Sequence, residues 1–451
     1  FGNSELSLRL PSIFSSFFCL ISSYLIALEI TNKKSALISL FSLSSMPLWI
    51  QYSRYASPDL LFVLCILLVI LFFLKSLESS DYIKHCLYIF LSGLFISTSF
   101  FIRSYMAFVP LIGLAPFICY HFFRKEQTFK IFFCAGIFIG SIPTCLNLYF
   151  SFQKFGINGI SILFDFASKK AVGEVGFNNL ILLPLNFIYL TFPIGLLLII
   201  LFIFTRSNIK INYPLLIYCY PILSLSLLLC MSTSYPHYYL FLLPSLSIIF
   251  ATYLTSNSFR YSFSSPFISY SILLIFLIIS FMLLFFIINY NELLIQHIYQ
   301  NHLIFYILTS FLLFSYITSI RFFLDIKYLN SNLNSFFYNI IIPQFISILL
   351  LFNFGLLGNP NYKTKLFLKD DSVSSIINSN TIYLYSLDSK IQTLLLYYLP
   401  SSKVISSIDD NSSGKYIITS DSNVLNSSEG KSLFKFIKSF DHNLLLLNMS
   451  K

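Results

Sequence analysis

Charge is scarce in this sequence. Only 10% of its 451 residues are Asp, Glu, Lys or Arg, against 57% hydrophobic, and mean hydropathy is +0.79. Domains that fold in water carry about a quarter charged residues, so a water-soluble globule is excluded. Acidic residues are fewer than basic ones, 18 against 28, which leaves a net charge of +10. In a soluble chain that excess would suggest nucleic acid. Here the basic residues are scattered through short loops between apolar runs, which is how a membrane protein is oriented, and no nucleic-acid partner is expected. No C-x-x-C and no H-E-x-x-H occurs. The eight cysteines (Cys19, Cys65, Cys86, Cys119, Cys134, Cys145, Cys219 and Cys230) all lie in or beside apolar runs. They read as small buried hydrophobes rather than a disulfide framework or a zinc site. The residues show no ligand set for a divalent metal and name no cofactor. The chain opens at Phe1, with neither Met nor a signal peptide.

What is present is a series of apolar runs of about 17–25 residues, the length that crosses a bilayer as a helix. Twelve are read, at 10–30, 35–51, 58–77, 86–102, 105–123, 129–150, 182–205, 212–231, 237–256, 266–289, 301–323 and 337–358. The second is short and interrupted by Ser44, Ser45 and Pro47. Alternate loops hold Lys33 and Lys34; Lys75 and Lys84; Arg124, Lys125 and Lys130; Arg206 and Lys210; Arg260; and Arg321 and Lys327. The intervening short loops hold only Arg54 and Arg103, and two have no basic residue. The first set therefore belongs in the cytoplasm. The Arg54–Asp59 turn, Arg103, the loop 151–181 and the C-terminal tail then fall outside. Twelve spans with an external start predict an odd number of spans upstream, one being the simplest.

Residues 151–181 make a loop too long for a connector, with Lys169, Lys170, Glu174 and four glycines, and a solvated loop or a gate both fit it. Beyond Gly358 the composition turns polar. The segments 381–386, 415–420 and 444–448 read as strands and 389–399 as a helix. The fold class expected is thus a polytopic α-helical membrane protein with a transmembrane domain at 1–358. A small extracytoplasmic α/β domain follows at 359–451.

The stretch WIQYSRYASPDLLF, Trp49 to Phe62, sets a polar turn before an unbroken apolar run. Ser57 can cap a helix, Pro58 fits its first position, and Asp59 falls in the first turn, where the helix dipole favours an anion. The spacing predicts that Asp59 and Arg54 lie together at a membrane-helix mouth. A helix start with a headgroup anchor and a functional carboxylate both fit these residues. Aromatics cluster at the expected outer boundary as Tyr235-Pro236-His237-Tyr238-Tyr239. An interfacial belt and a sugar-phosphate site both fit them.

Gly2, Glu5, Arg9, Leu10 and Pro11, followed by a membrane helix, resemble the segment after the first external loop of bacterial GT-C glycosyltransferases. The branch is the one related to dolichyl-phosphate-mannose protein mannosyltransferases, which includes lipid A aminoarabinose transferases. Arg54 and Asp59 match that family's aromatic/Arg turn followed by Asp at a helix start. Phe101 to Pro110 with Arg103 is similar to its basic helix end followed by Pro. Tyr239 to Pro244 is similar to its Tyr-x-Leu-Pro-x-x-Pro stretch, with one proline of the two. The family's first external loop, with a principal catalytic Asp and a Lys-Pro-Pro-Leu-like run, would lie before Phe1.

The resemblance implies a multi-pass enzyme of the plasma (inner) membrane. It would move a sugar from a polyprenyl-phosphate-linked donor to an extracytoplasmic glycan, lipid or protein acceptor. Arg54 and Arg103 would meet the lipid phosphate, since Arg suits multidentate phosphate contact. Asp59 would act as general base or orient the acceptor. Tyr55, His237, Tyr238 and Tyr239 would bind substrate. A transporter or flippase of lipid-linked sugars is the competing class, with a polysaccharide polymerase behind it. Transporters tend to show internal repeats and charges at the midplane. Here no repeat is found, and the notable charges sit at a boundary.

Overall fold

The computed structural model describes residues 5–161, 191, 194–195, 198, 212–231, 235–255, 336–353, 367–368, 370–405, 416–419, 434–440 and 444–449. The expected spans at 266–289 and 301–323 lie outside these residues, as do nearly all of 182–205 and residues 162–181 of the expected loop 151–181, whose first residues instead continue a helix to Phe155. Two compact units divide the chain, Phe1–Leu351 and Phe352–Lys451.

The first unit is helical. Its elements are α1 (Glu5–Ile30), α2 (Lys33–Ser45), α3 (Pro47–Ser53), α4 (Asp59–Glu78), α5 (Tyr82–Arg103), α6 (Phe108–Arg124), α7 (Gln127–Phe155), α8 (Tyr220–Cys230), α9 (Leu243–Thr255) and α10 (Ile342–Asn353). Among the described residues, five stretches are long and apolar enough to cross a membrane: Leu6–Ile30, Asp59–Glu78, Tyr82–Arg124, Gln127–Phe155 and Pro236–Thr255. The protein is a multi-pass membrane protein. The third stretch is two helices, because Ser104 turns the chain at φ 47° and a 3-10 turn, Ser104–Ala107, leads into α6.

The run expected at 35–51 is not one span. α2 stops at Ser45, Met46 is extended, and α3 restarts at Pro47. The cause is local: proline lacks the N–H that would continue the helix and pushes the residue before it out of the helical region. The helices expected at 212–231 and 337–358 open on π-turns, Leu215–Cys219 and Phe337–Ile341.

Helices in lipid gain nothing from burying apolar surface against each other, so close packing and polar contacts decide their arrangement. α5 and α7 meet through glycines. A Cβ on Gly93 would fall 2.2 Å from the Phe133 carbonyl oxygen, and one on Gly136 would fall 2.0 Å from that of Phe90. α2 is tied to α9 by Ser39 and Ser247, whose hydroxyls lie 2.9 Å apart inside the core. The core around α4 contains Leu60, Val63, Leu67, Phe73 and Leu74. α4 and α5 form an antiparallel hairpin of nearly equal arms, 20 and 22 residues, joined at Asp81, whose carboxylate accepts the Ile83 N–H at 3.0 Å. Equal arms return the end of α5 to the start of α4, and this sets up the site.

The second unit holds α11 (Asp371–Ser379), β1 (Ile382–Tyr385), α12 (Ser389–Tyr398), β2 (Lys403–Val404), β3 (Tyr416–Thr419), β4 (Phe434–Phe440) and β5 (Leu444–Met449). The sheet order is β2-β1-β3-β5-β4, with β2, β1 and β3 parallel and β5 antiparallel to both β3 and β4. Its core joins Phe367, Val373, Ile382, Leu384, Leu395 and Ile418.

Candidate functional site

The site grows from the turn before α4. The Ser57 hydroxyl accepts the Asp59 N–H at 3.2 Å, and the Phe62 N–H reaches the Pro58 carbonyl at 3.0 Å, which closes the first turn. Ser57 thus satisfies a backbone donor that the helix itself cannot. Its hydroxyl also donates to Asp59 Oδ2. Asp59 is 6% exposed, and a carboxylate so buried needs a cation. The cation is Arg103, whose guanidinium pairs with Asp59 Oδ1. The expected neighbour, Arg54, is instead the cap residue at the end of α3. The α4–α5 hairpin explains the pairing, since it brings the last residue of α5 back to the first of α4.

A cluster of aromatic side chains lies beside Arg103, with Tyr52 and Tyr238 within its electrostatic reach. The rings of Tyr52 and Tyr55 meet edge-on at 5.2 Å, and Tyr52 lies 6.0 Å from the His237 ring. His237 stacks on Tyr235 at 5.7 Å and meets Tyr238 edge-on at 4.4 Å. Gln51 Nε2 donates to the Tyr55 hydroxyl at 3.0 Å. Burial, with Tyr55 adding to it, pushes the Tyr52 phenol up to about 12, and the nearby charge of Arg103 only partly offsets this. Burial also raises the Tyr55 phenol, against the Gln51 hydrogen bond and the charges of Arg54 and Arg9. Both phenols therefore stay neutral donors at physiological pH. Arg103 also lies within electrostatic reach of Tyr238.

Of the residues singled out in the sequence, Asp59, Arg103, Tyr55, His237 and Tyr238 gather at this end of the bundle, with Arg54 beside Tyr55. Tyr239 follows Tyr238 in the 3-10 turn Pro236–Leu242, and both are nearly buried, 2% and 4% exposed. Sequence reasoning gave no site role to Tyr52, Arg9 or Ser12. Arg9 and Ser12 lie one turn apart on α1, and only the packing of α1 on the turn brings them in. Among the described residues, no three His, Cys, Asp or Glu side chains gather as a metal site.

The α-helical membrane bundle that carries this site has a counterpart among solved structures. Two crystal structures of ArnT from Cupriavidus metallidurans superpose on the chain. In the apo state the TM-score is 0.69 at 12% identity, covering 97% of this chain and 83% of that one. The form bound to undecaprenyl phosphate gives 0.66 at 13% identity, with 98% and 84% covered. In sequence, residues 1–149 match the model of the family described as dolichyl-phosphate-mannose-protein mannosyltransferase. No curated protein sequence matches significantly. The first third of the chain carries that family's signature, and the whole shares ArnT's fold.

Proposed function

We propose that this protein transfers a sugar from a polyprenyl-phosphate-linked donor to an acceptor at the outer face of the plasma membrane. The observation that carries the reading is the buried Asp59–Arg103 pair beside the cluster of Tyr52, Tyr55, His237 and Tyr238. It lies in a fold shared with an enzyme crystallised with undecaprenyl phosphate. An acceptor hydroxyl or amine attacks the anomeric carbon. The bond from that carbon to the phosphate oxygen breaks, polyprenyl phosphate leaves with the electron pair, and the acceptor's proton passes to the departing phosphate directly or through water. Charge develops on the leaving phosphate, and fixed guanidinium groups of Arg103 and Arg54 are suited to meet it. The neutral phenols and the His237 ring give faces and donors for a sugar.

The test is transfer of labelled sugar from polyprenyl phosphate to outer-surface acceptors in membranes holding the full-length protein. Arg103→Ala and Arg54→Ala should each lower donor binding or turnover about ten- to a hundredfold, with Lys rescuing only in part. Unchanged turnover in both would remove these arginines from the site. A wild-type protein that carries lipid-linked sugar across the bilayer and never transfers it would make the protein a flippase.

A further inference from the structure

The turn that presents Asp59 carries backbone groups that no helix satisfies, and one residue of a distant helix meets two of them, the Ser57 carbonyl and the Ser57 N–H, the latter shared with the Tyr55 carbonyl at 3.0 Å. Ser12 on α1 is 3% exposed. Its hydroxyl donates to the Ser57 carbonyl at 2.9 Å and accepts the Ser57 N–H at 3.2 Å. Ser57 then uses its own hydroxyl on Asp59, accepting the N–H and donating to Oδ2. Asp59 Oδ1 takes Arg103. The four residues form one line of contacts across α1, the turn, α4 and α5. Each hydroxyl has one proton and a lone pair in use, so the line is consistent from end to end.

We propose that Ser12 is a positioning residue for Arg103, acting through Ser57 and Asp59, and that Asp59 serves by holding the guanidinium rather than by taking the acceptor's proton. This rests on the lipid-phosphate reading of the site. The expectation from the sequence is a general base or a group that orients the acceptor. Both carboxylate oxygens of Asp59 are already engaged, Oδ1 by the guanidinium and Oδ2 by the Ser57 hydroxyl, which leaves neither turned to an acceptor. The same contacts make it a good anchor. A guanidinium has five N–H donors, so the edge turned to Asp59 leaves others for a phosphate. Burial of Ser12 and Asp59 fixes that orientation before any donor arrives, which avoids ordering the arginine on binding.

The experiment uses the full-length protein in nanodiscs and polyprenyl phosphate as the probe. Binding is measured for wild type, Ser12→Ala, Ser12→Thr, Ser57→Ala, the Ser12/Ser57 double alanine variant and Arg103→Ala. Ser12→Ala and Ser57→Ala should each weaken binding about three- to tenfold, the range of one lost hydrogen bond. Ser12→Thr, which keeps the hydroxyl, should recover most of the loss. The double variant should be little worse than either single one, because both cut the same line. In transfer assays these variants should raise the donor KM and leave the acid limb of the pH–rate profile in place. Asp59→Asn should do the same, whereas loss of a base would abolish that limb at unchanged donor affinity. If Ser12→Ala fails to accumulate, Ser12→Cys, which nearly keeps the volume and weakens both bonds to the turn, carries the test of Ser12, and wild-type binding in it would overturn the role of Ser12. Wild-type binding in Ser12→Ala and Ser57→Ala, beside a clear loss in Arg103→Ala, would overturn the relay and leave the phosphate site standing. A wild-type protein that does not bind polyprenyl phosphate would overturn both.

Discussion

Asp59 and Arg103 are unequally buried, with side chains 8% and 25% exposed, and that difference sets the order of their mutational costs. Arg103→Ala strands a buried carboxylate. Removing one partner of such a pair is strongly destabilising, and at the mouth of the bundle we expect about 3 kcal/mol. Asp59→Asn keeps an acceptor for Ser57 and leaves a guanidinium that water can reach, so about 1 kcal/mol is expected. Unfolding midpoints of the two variants and the double variant in detergent check this. The double variant should cost less than the sum, because the second change removes the group the first left unpaired. Equal costs, or strict additivity, would show that the pair does not form. The sequence shows half of this arrangement. Ser57-Pro58-Asp59 is legible because capping is a matter of neighbouring residues. The partner of Asp59 is not, since Arg54 is five residues away and Arg103 is forty-four. Only the matched arms of the α4–α5 hairpin decide between them.

At the scale of elements, apolar runs located the described helices because bilayer thickness fixes their length. Breaks between runs were legible where a charge marks them, as Arg103 does between 86–102 and 105–123, although the φ 47° turn at Ser104 itself is not announced. The break at Pro47, inside the run 35–51, reads in the sequence only as a weak point in a single span. Helix-to-helix packing was half legible: Gly136 and Gly140 are spaced as a G-x-x-x-G contact face on α7, but nothing in the sequence names Gly93 on α5 as its partner until the two helices meet. Gly136→Ala tests that contact. Alanine favours an isolated helix over glycine by about 1 kcal/mol, yet here its Cβ would fall 2.0 Å from the Phe90 carbonyl oxygen. That overlap is with backbone, so the helices must separate, and a net loss of about 1–3 kcal/mol is expected in unfolding measurements. Stabilisation by alanine would contradict the close approach of α5 and α7.

For the whole molecule, the site has meaning only if its end of the bundle faces the compartment that holds donor and acceptor. Loop charges argue that it does, because basic residues concentrate at the opposite end. That opposite end also holds an ion pair, Lys75 to Glu29 at 2.8 Å, and the Tyr213 hydroxyl lies 3.5 Å from Glu78. α4 spans about 30 Å between the two ends, the thickness of a hydrocarbon core, so its flanking residues report on opposite surfaces. Ala56 and Ser80 are exposed and flank it. In a background lacking the eight native cysteines, a cysteine at Ala56 should react with an impermeant thiol reagent applied to intact cells. A cysteine at Ser80 should react only after permeabilisation, and one at Ser412 should follow Ala56 if the C-terminal unit is external. Labelling of Ser80 with protection of Ala56 would place Asp59, Arg103 and the aromatic cluster in the cytoplasm. A transferase working at the outer surface would then have its site on the wrong side, and the proposed function would fall whatever the arginine variants show.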